Sequence, residues 1–283
     1  MAAALLAACA ALTACSTGTP PPSAPSTPTP STDAAPSPTG PSPVTSVDSH
    51  APPGFVDLSD VDPTIVQDIR YATPHNFVGR PIKGYLEPRC LLTTQAAQAL
   101  HQVQTAARAK GYGLKVYDCY RPGRAGEDFV SWAHDLSDQT MKGEFYPNEP
   151  KSNLFTDGYV GGGKTSHSRG STMDLTLVPY PPPTQRPFVP GEPLQPCTNP
   201  TGQRFPDNSV DMGTGFDCFD SRSHTLDPRI TGTAHDNRLL LRQLMSDAGF
   251  VNYSNEWWHY DYSRDPHPNT YFDFPVARAA LTP

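Results

Sequence analysis

The amino-acid sequence predicts an α+β fold, with one folded domain over residues 54–283 of the 283-residue chain. Predicted helices and strands follow one another without the regular alternation that builds a doubly wound parallel sheet, and no internal repeat is visible. Residues 16–53 contain almost nothing to bury. The roughly 230 residues after them are enough for one sizeable core with loops.

The first long helix is predicted at residues 93–111, after a turn-rich, partly apolar stretch at residues 55–71. Threonines stand where the helix needs a cap, and Gly111 follows as a stop signal. Apolar residues recur at helical spacing. They are Ala96, Leu100, Val103 and Ala107.

Strands and helices share the rest of the domain. In chain order they are a strand at 112–120, a short helix at 125–134, a strand within 165–178, a surface loop at 179–215, a helix at 235–249 and a strand at 250–262. The strand segments alternate apolar and polar residues or are rich in aromatic ones. The loop is rich in proline, and Gly249 is placed to end the last helix.

The N-terminus predicts export. Residues 1–14 read MAAALLAACAALTA, an uncharged apolar run that is too short to span a bilayer and has the size of a secretory signal. The run ends at Cys15 in LTAC, which resembles a bacterial lipobox, so Cys15 is the predicted lipid anchor. The alternative is Cys9 in LAAC, after a very short run. Residues 15–53 are mostly Pro, Ser, Thr and Ala, which predicts a disordered tether.

Disulfides are expected in the exported domain. If Cys9 is lost with the signal and Cys15 is lipidated, four of the six cysteines remain. An even number outside the cell suggests two disulfides, in one of three connectivities. The local pairing is favoured and buried free thiols are the alternative. It joins Cys90 to Cys119 and Cys197 to Cys218.

The segment TSHSRGSTMDLTLV, residues 165–178, places His167 and Asp174 around a glycine turn at the mouth of a strand. Aspartate is rare in strands and interiors unless its charge is compensated, so Asp174 is expected to have a partner. Histidine nitrogen and carboxylate oxygen are suitable zinc ligands. The alternative is an aspartate that accepts hydrogen bonds from nearby backbone amides.

A second segment, EWWHY, places Glu256 three residues before His259. A hydrolytic zinc centre needs three protein ligands, an open position for water and a general base beside that water. His167, Asp174 and His259 supply three ligands, and Glu256 supplies the base. Residues three apart on a strand point to opposite faces, so this assignment requires a bulge or a turn near Trp257. The alternative is a buried aromatic strand.

The two segments together resemble the signature of the VanX-type D-alanyl-D-alanine dipeptidases, zinc metallopeptidases of the M15, DD-peptidase and hedgehog-like group. The resemblance extends from about residue 54 to the C-terminus. It implies a single domain with a central antiparallel sheet and flanking helices. Other segments agree in order along the chain: YATPHNFVGRPIKGY (71–85), YGLKVYDCYRPGRA (112–125), FDCFDSRSH (216–224) and PNTYFDFPV (268–276).

The resemblance also implies roles for individual residues. It places His167, Asp174 and His259 as ligands of one zinc ion per chain and Glu256 as the catalytic base. Arg121 falls on the arginine that steadies the scissile carbonyl, and the alternative for Arg121 is a salt bridge to Asp118. The substrate-binding positions are Tyr71 and Asp217 for the free ammonium and Thr165 or Ser166 for the terminal carboxylate.

The implied activity is zinc-dependent hydrolysis of D-alanyl-D-alanine at the cell surface, in peptidoglycan turnover or dipeptide salvage. The alternatives are a D,D-carboxypeptidase that acts on longer wall peptides and a non-catalytic wall-binding module. Partners are expected to be the dipeptide, peptidoglycan-derived peptides and the membrane through the lipid anchor alone. A net charge of -7 with scattered Lys and Arg argues against nucleic-acid binding. The 179–215 loop looks longer than in compact family members.

Overall fold

Seven strands and five α-helices make up the part of the chain that the structure, a computed structural model, describes, residues 48–281. The strands are β1 (Phe55–Asp57), β2 (Val66–Gln67), β3 (Leu91–Thr93), β4 (Tyr112–Asp118), β5 (Thr172–Pro179), β6 (Phe250–Asn252) and β7 (His259–Tyr262). The helices are α1 (Leu58–Val61), α2 (Thr94–Arg108), α3 (Gly123–His134), α4 (Lys142–Phe145) and α5 (Gly232–Asp247). The mixture agrees with the predicted α+β class.

One sheet has the strand order β2, β4, β5, β7, β6, and β1 pairs with β3 in a separate two-stranded sheet. The pairs β4 with β5, β5 with β7 and β6 with β7 are antiparallel. β2 and β4 are parallel, so the prediction of an antiparallel sheet is wrong at this edge. The chain passes from β2 to β4 through α2, and a crossover through a helix returns it in the same direction.

Helix α2 confirms the helix predicted at 93–111, although it ends three residues earlier and its predicted cap is wrong. Thr93 occupies the N-cap position, but its hydroxyl pairs with that of Ser171 at 2.8 Å. Gly111 has a φ of 83° and its amide donates to the Arg108 carbonyl, as a stop signal should. The predicted helices 125–134 and 235–249 correspond to α3 and α5.

Strand β5 lies at the centre of the large sheet and is buried along nearly its whole length. Leu175 and Leu177 are fully buried, opposite Val116 and Leu114 of β4. Helices α2 and α5 contact each other, and they pack against β4 and β5 respectively. A strand covered in this way is held rigidly, which suits it to position Asp174.

The aromatic segment 250–262, predicted as one strand, is an antiparallel hairpin of β6 and β7. Residues 253–258 form the connection, with turns at 254–255 and 257–258. Trp257 and Trp258 are buried there, so the turn is packed into the core. The break in the strand confirms the turn that the Glu256 and His259 assignment requires.

Both predicted disulfides are present. Cys90 is bonded to Cys119, and Cys197 is bonded to Cys218. Residues 180–215 contain no helix or strand, in agreement with the predicted loop. The second disulfide ties this loop to the segment that follows it.

The folded part begins slightly before residue 54. Ala51 is buried, and its amide donates to the Ala280 carbonyl at 2.7 Å. The predicted signal at residues 1–14, Cys15 and the tether as far as residue 47 lie outside the described residues. Within residues 48–281, none of the helices has the length and apolar character needed to cross a membrane.

Candidate metal centre and active site

Strand register brings three site side chains into one row. Asp118 of β4 is paired with Asp174 of β5, which is paired in turn with His259 of β7. Residues directly opposite each other on neighbouring strands share a face of the sheet. β4 is irregular between Val116 and Asp118, and this bulge turns Asp118 toward the face of Asp174.

His167 reaches the same place from a short 3-10 helix, Ser166–Arg169, that leads into β5. Gly170 follows with a φ of 82°, and a Cβ at this position would lie 2.2 Å from the Phe55 ring, so glycine is required. The His167 Nδ1 lies 2.8 Å from the Cys119 carbonyl oxygen. A carbonyl can only accept, so Nδ1 carries the proton and Nε2 is left with a free lone pair.

His259 approaches the same position with its Nδ1 atom, whereas His167 does so with Nε2. Its Nδ1 faces Asp174, while its Nε2 lies 3.6 Å from Asp261 Oδ2 and 3.4 Å from the Ser166 hydroxyl. Burial alone would lower the pKa of His259, but the carboxylates of Asp174 and Asp261 raise it to about 10. Asp261, which also accepts a hydrogen bond from Thr172, fixes the orientation of the ring.

The three predicted ligands fit one tetrahedral ion. His167 Nε2, His259 Nδ1 and Asp174 Oδ1 are separated by 3.2, 3.3 and 3.4 Å. Ligand atoms about 2.0–2.1 Å from a tetrahedral ion lie roughly 3.3 Å apart. Asp174 Oδ1 is buried and receives no hydrogen bond. A buried carboxylate oxygen without a donor is an unfavourable arrangement that a cation at this point would relieve.

Glu256 stands beside this group but outside it. Its Oε2 lies 3.6 Å from His259 Nδ1, and its side chain keeps 23% exposure at the cleft. Burial raises the pKa of the Glu256 carboxyl, and the nearby charge of Asp174 raises it further. A carboxyl with a raised pKa next to a candidate metal position is suited to proton transfer.

Arg121 forms the salt bridge that is the alternative for this residue, and it also lines the cleft. Its Nε donates to Asp118 Oδ2 at 2.9 Å, which is the predicted salt bridge. Its Nη2 lies 3.5 Å from Asp174 Oδ2, and the guanidinium lies over the rings of Tyr71 and Phe129 along the cleft. A tyrosine hydroxyl also donates to Asp118 and helps to fix this carboxylate. The salt bridge therefore holds the Arg121 guanidinium in place, with one edge toward the cleft.

Tyr71 and Asp217 form the second polar pair of the cleft. The Tyr71 hydroxyl donates to Asp217 Oδ2 at 2.8 Å, and both residues are buried. Burial, together with the charge of Asp174, raises the pKa of Asp217 well above its usual range. Within the described residues this carboxylate makes no ion pair. It is therefore suited to receive a cationic group from a ligand.

Thr165 and Ser166 line the cleft at the start of the 3-10 helix. The Thr165 hydroxyl is buried and has no hydrogen-bond partner, which leaves it available to a ligand. All nine residues predicted for catalysis, metal and substrate line one cleft of about 290 Å³. They are Tyr71, Arg121, Thr165, Ser166, His167, Asp174, Asp217, Glu256 and His259.

A glycine-rich wall closes the cleft on one side. Gly126 of α3 lies so close to the 158–163 segment that a Cβ on it would be 1.8 Å from the Gly163 carbonyl oxygen. Phe129 and Phe219 line the same cleft. The sequence predicts Asp118 only as a salt-bridge partner of Arg121. It does not predict this wall or the support from Asp261, which lie outside the segments TSHSRGSTMDLTLV and EWWHY.

Comparison with known proteins agrees with this geometry. The family profile Peptidase M15, described as D-ala-D-ala dipeptidase, matches residues 52–180 and 203–277. The match covers both the sheet and the cleft. Residues 181–202, which include Cys197, lie outside it and fall within the long loop.

Relatives that carry the name D-alanyl-D-alanine dipeptidase match over most of their length. The protein from Enterococcus faecalis is 38% identical over 224 residues, which cover 79% of this chain and 98% of the relative. The protein from Streptomyces coelicolor is 37% identical over 210 residues, 74% of this chain and 92% of the relative. The protein from Escherichia coli is 32% identical over 207 residues, 73% and 83% respectively. The chain belongs to the Peptidase M15 family of D-Ala-D-Ala dipeptidases.

Proposed function

We propose that the protein hydrolyses D-alanyl-D-alanine to two molecules of D-alanine, with one zinc ion per chain. The observation that supports this most strongly is the shared cleft. The cleft contains three residues that could hold a metal ion. It also contains a buried carboxylate, Asp217, that has no cationic partner among the described residues. A small dipeptide brings both a peptide bond and a free ammonium to such a cleft.

The residues present fit a zinc ion. His167, Asp174 and His259 would hold it, because two imidazoles and one carboxylate leave a fourth position open to water or substrate. When bound, zinc lowers the pKa of water and polarises a carbonyl oxygen. The hydrogen bond from His167 Nδ1 to the Cys119 carbonyl and the contact of His259 Nε2 with Asp261 keep the two rings turned for this purpose.

Glu256 and Arg121 divide the remaining chemistry. Glu256 takes a proton from the attacking water and delivers it to the leaving amine, for which its raised pKa is suited. Arg121 cannot lose its proton, and the Asp118 salt bridge holds it in place. Its guanidinium therefore offers fixed positive charge to the carbonyl oxygen as negative charge develops there, worth on the order of 3 kcal/mol.

The cleft selects a dipeptide by its two ends. Tyr71 and Asp217 lie at the ammonium end, and Thr165 lies at the carboxylate end. Asp217 receives the ammonium, which supplies the positive charge that this buried carboxylate lacks. Thr165 and Ser166 face the terminal carboxylate with hydroxyl groups. A longer peptide has an amide nitrogen in place of the ammonium and would leave Asp217 uncompensated.

In this proposal the protein acts on the outer side of the cytoplasmic membrane. The apolar run at 1–14, Cys15 and the Pro-rich tether support export and lipid anchoring, and two disulfides fit an oxidising compartment. The M15 match and the mixed sheet support the DD-peptidase and hedgehog-like fold. Wall-derived dipeptides are then the available substrate, which supports a role in peptidoglycan turnover or salvage.

Release of D-alanine from D-Ala-D-Ala and from a wall pentapeptide, with and without a chelator, tests the proposal. We expect release from the dipeptide that is lost with chelator and restored by zinc, and little release from the pentapeptide. Faster cleavage of the pentapeptide would support a D,D-carboxypeptidase instead. Binding of wall peptides without cleavage of either substrate would support a binding module.

A further inference from the structure

Asp217 has an unusual backbone. Its φ is 54°, and it is the one residue other than glycine with a positive φ among residues 48–281. This conformation is unfavourable for a residue with a Cβ, although aspartate tolerates it better than most. Such a conformation persists only where the surroundings enforce it. The question is which contacts do so.

Cys197 holds the segment around Asp217 at two points. Its carbonyl accepts from the Gly215 amide at 2.8 Å, and its sulfur is bonded to Cys218. The two attachments lie on either side of Asp217 along the chain. Cys197 is itself fixed, because its amide donates to the Glu144 carbonyl at 2.9 Å. We call Cys197, Gly215 and Cys218 the clamp.

Packing holds the side chains on either side of Asp217, because Phe216 and Phe219 are buried against other aromatic rings. A second cavity, of about 230 Å³, is lined in part by Gly215 and Phe216. A wall next to empty space loses the contacts that would hold it by packing. Phe216 is stacked on Tyr117 at 4.3 Å, and the Phe219 amide donates to the Phe145 carbonyl at 2.7 Å. The covalent bond at Cys218 adds a constraint on the residue directly after Asp217.

We propose that the Cys197–Cys218 disulfide is a positioning device for Asp217, so that recognition of the substrate ammonium depends on the oxidised clamp. The inference rests on the proposed dipeptidase function and deepens it. Cys197 comes from residues 181–202, the part of the loop outside the family match. The loop thus influences substrate specificity through its disulfide to Cys218, the residue that follows Asp217.

The two disulfides make the inference testable by comparison. Cys119 supports the metal side, because its carbonyl accepts from His167. Cys218 supports the ammonium side. The sequence separations of 29 and 21 residues are similar, so loss of either bond should have a similar general cost in stability. The double variant Cys90→Ser/Cys119→Ser is therefore a matched control for Cys197→Ser/Cys218→Ser.

The experiment measures kcat and KM for D-Ala-D-Ala and for its N-acetyl derivative, which lacks the ammonium. In Cys197→Ser/Cys218→Ser we expect KM for the dipeptide to rise about 10- to 100-fold with kcat within about threefold, as for loss of positioned binding. The preference for the free amine over the acetylated substrate should fall by a similar factor. The control variant should keep this preference, whatever its effect on zinc content.

Gly215→Ala provides a second variant that keeps both sulfurs, should the double variant not fold. An added Cβ would lie 3.3 Å from Cys197 Cβ, so it loosens the clamp. We expect a smaller fall in the same preference. An unchanged preference in folded Cys197→Ser/Cys218→Ser or in Gly215→Ala would overturn this inference alone. A wild-type protein that does not hydrolyse D-Ala-D-Ala would overturn the proposed function, and the inference with it.

Discussion

Replacing Tyr71 with Phe removes one oxygen atom from the ammonium site and leaves the aromatic ring in place. That hydroxyl donates to Asp217 at 2.8 Å in a buried environment. A hydrogen bond to a charged group contributes about 1.5–3 kcal/mol. Since about 1.4 kcal/mol corresponds to a factor of ten, we expect kcat/KM for D-Ala-D-Ala to fall by about 10- to 100-fold.

The pH profile gives the same variant a second readout. Burial and the charge of Asp174 raise the pKa of Asp217, and the Tyr71 hydrogen bond opposes that rise. Loss of the hydroxyl therefore raises the pKa of Asp217 further. Asp217 binds an ammonium in its ionised form, which exists above its pKa. The acid limb of kcat/KM should consequently move to higher pH in Tyr71→Phe.

D-alanine release measured over a series of pH values provides the assay. Tyr85→Phe is the matched control, because the Tyr85 ring lies 5.8 Å from that of Tyr71 but its hydroxyl donates to Asp118. The control should leave the acid limb where it is. An unchanged kcat/KM in Tyr71→Phe, or an acid limb that moves to lower pH, would refute the assignment of Asp217 as the ammonium site.

Three other changes have defined outcomes. Asp217→Asn should remove most of the affinity for the dipeptide yet stabilise the protein, because a buried Asp with a raised pKa makes the fold less stable as pH rises above about 4, its unfolded value. Denaturant unfolding at several pH values should show a smaller loss of stability with rising pH in the variant than in the wild type. Gly126→Ala should destabilise the fold by about 1–3 kcal/mol and lower activity, because its Cβ would meet the Gly163 carbonyl oxygen at 1.8 Å; thermal unfolding checks it. Cys90→Ser/Cys119→Ser should cost roughly 3–4 kcal/mol in the free energy of unfolding, for a separation of 29 residues, as denaturant titration would measure.

The candidate metal ligands could be predicted because they lie in two short contiguous segments. His167 and Asp174 bracket one glycine turn, and Glu256 lies in the hairpin connection directly before His259, the first residue of β7. The spacing of Glu256 and His259 also predicted the turn that the structure contains. Tyr71 and Asp217, in contrast, are far apart in sequence, and the resemblance to a family, not the residues themselves, brought them together.

The supports of the site could not be predicted in this way. Asp118 faces Asp174 because of a bulge in β4, and the sequence gives no signal for that register. Asp261 lies two residues after His259 on β7, which puts both side chains on one face of the strand, and its pairing opposite Thr172 of β5 holds it there. Gly126 matters because a distant loop touches it. The roles of Asp118 and Gly126 depend on non-local contacts, whereas local patterns fix only the elements.

Zinc content and turnover measured together in Glu256→Ala test the central assignment most directly. If Glu256 is the base and His259 a ligand, Glu256→Ala keeps its zinc and loses turnover by a factor of at least about 100, whereas His259→Ala loses zinc and activity together. The contradictory result is a Glu256→Ala protein that loses zinc but regains appreciable activity when zinc is supplied. In that case EWWHY does not divide into a base and a ligand as the geometry of the cleft indicates.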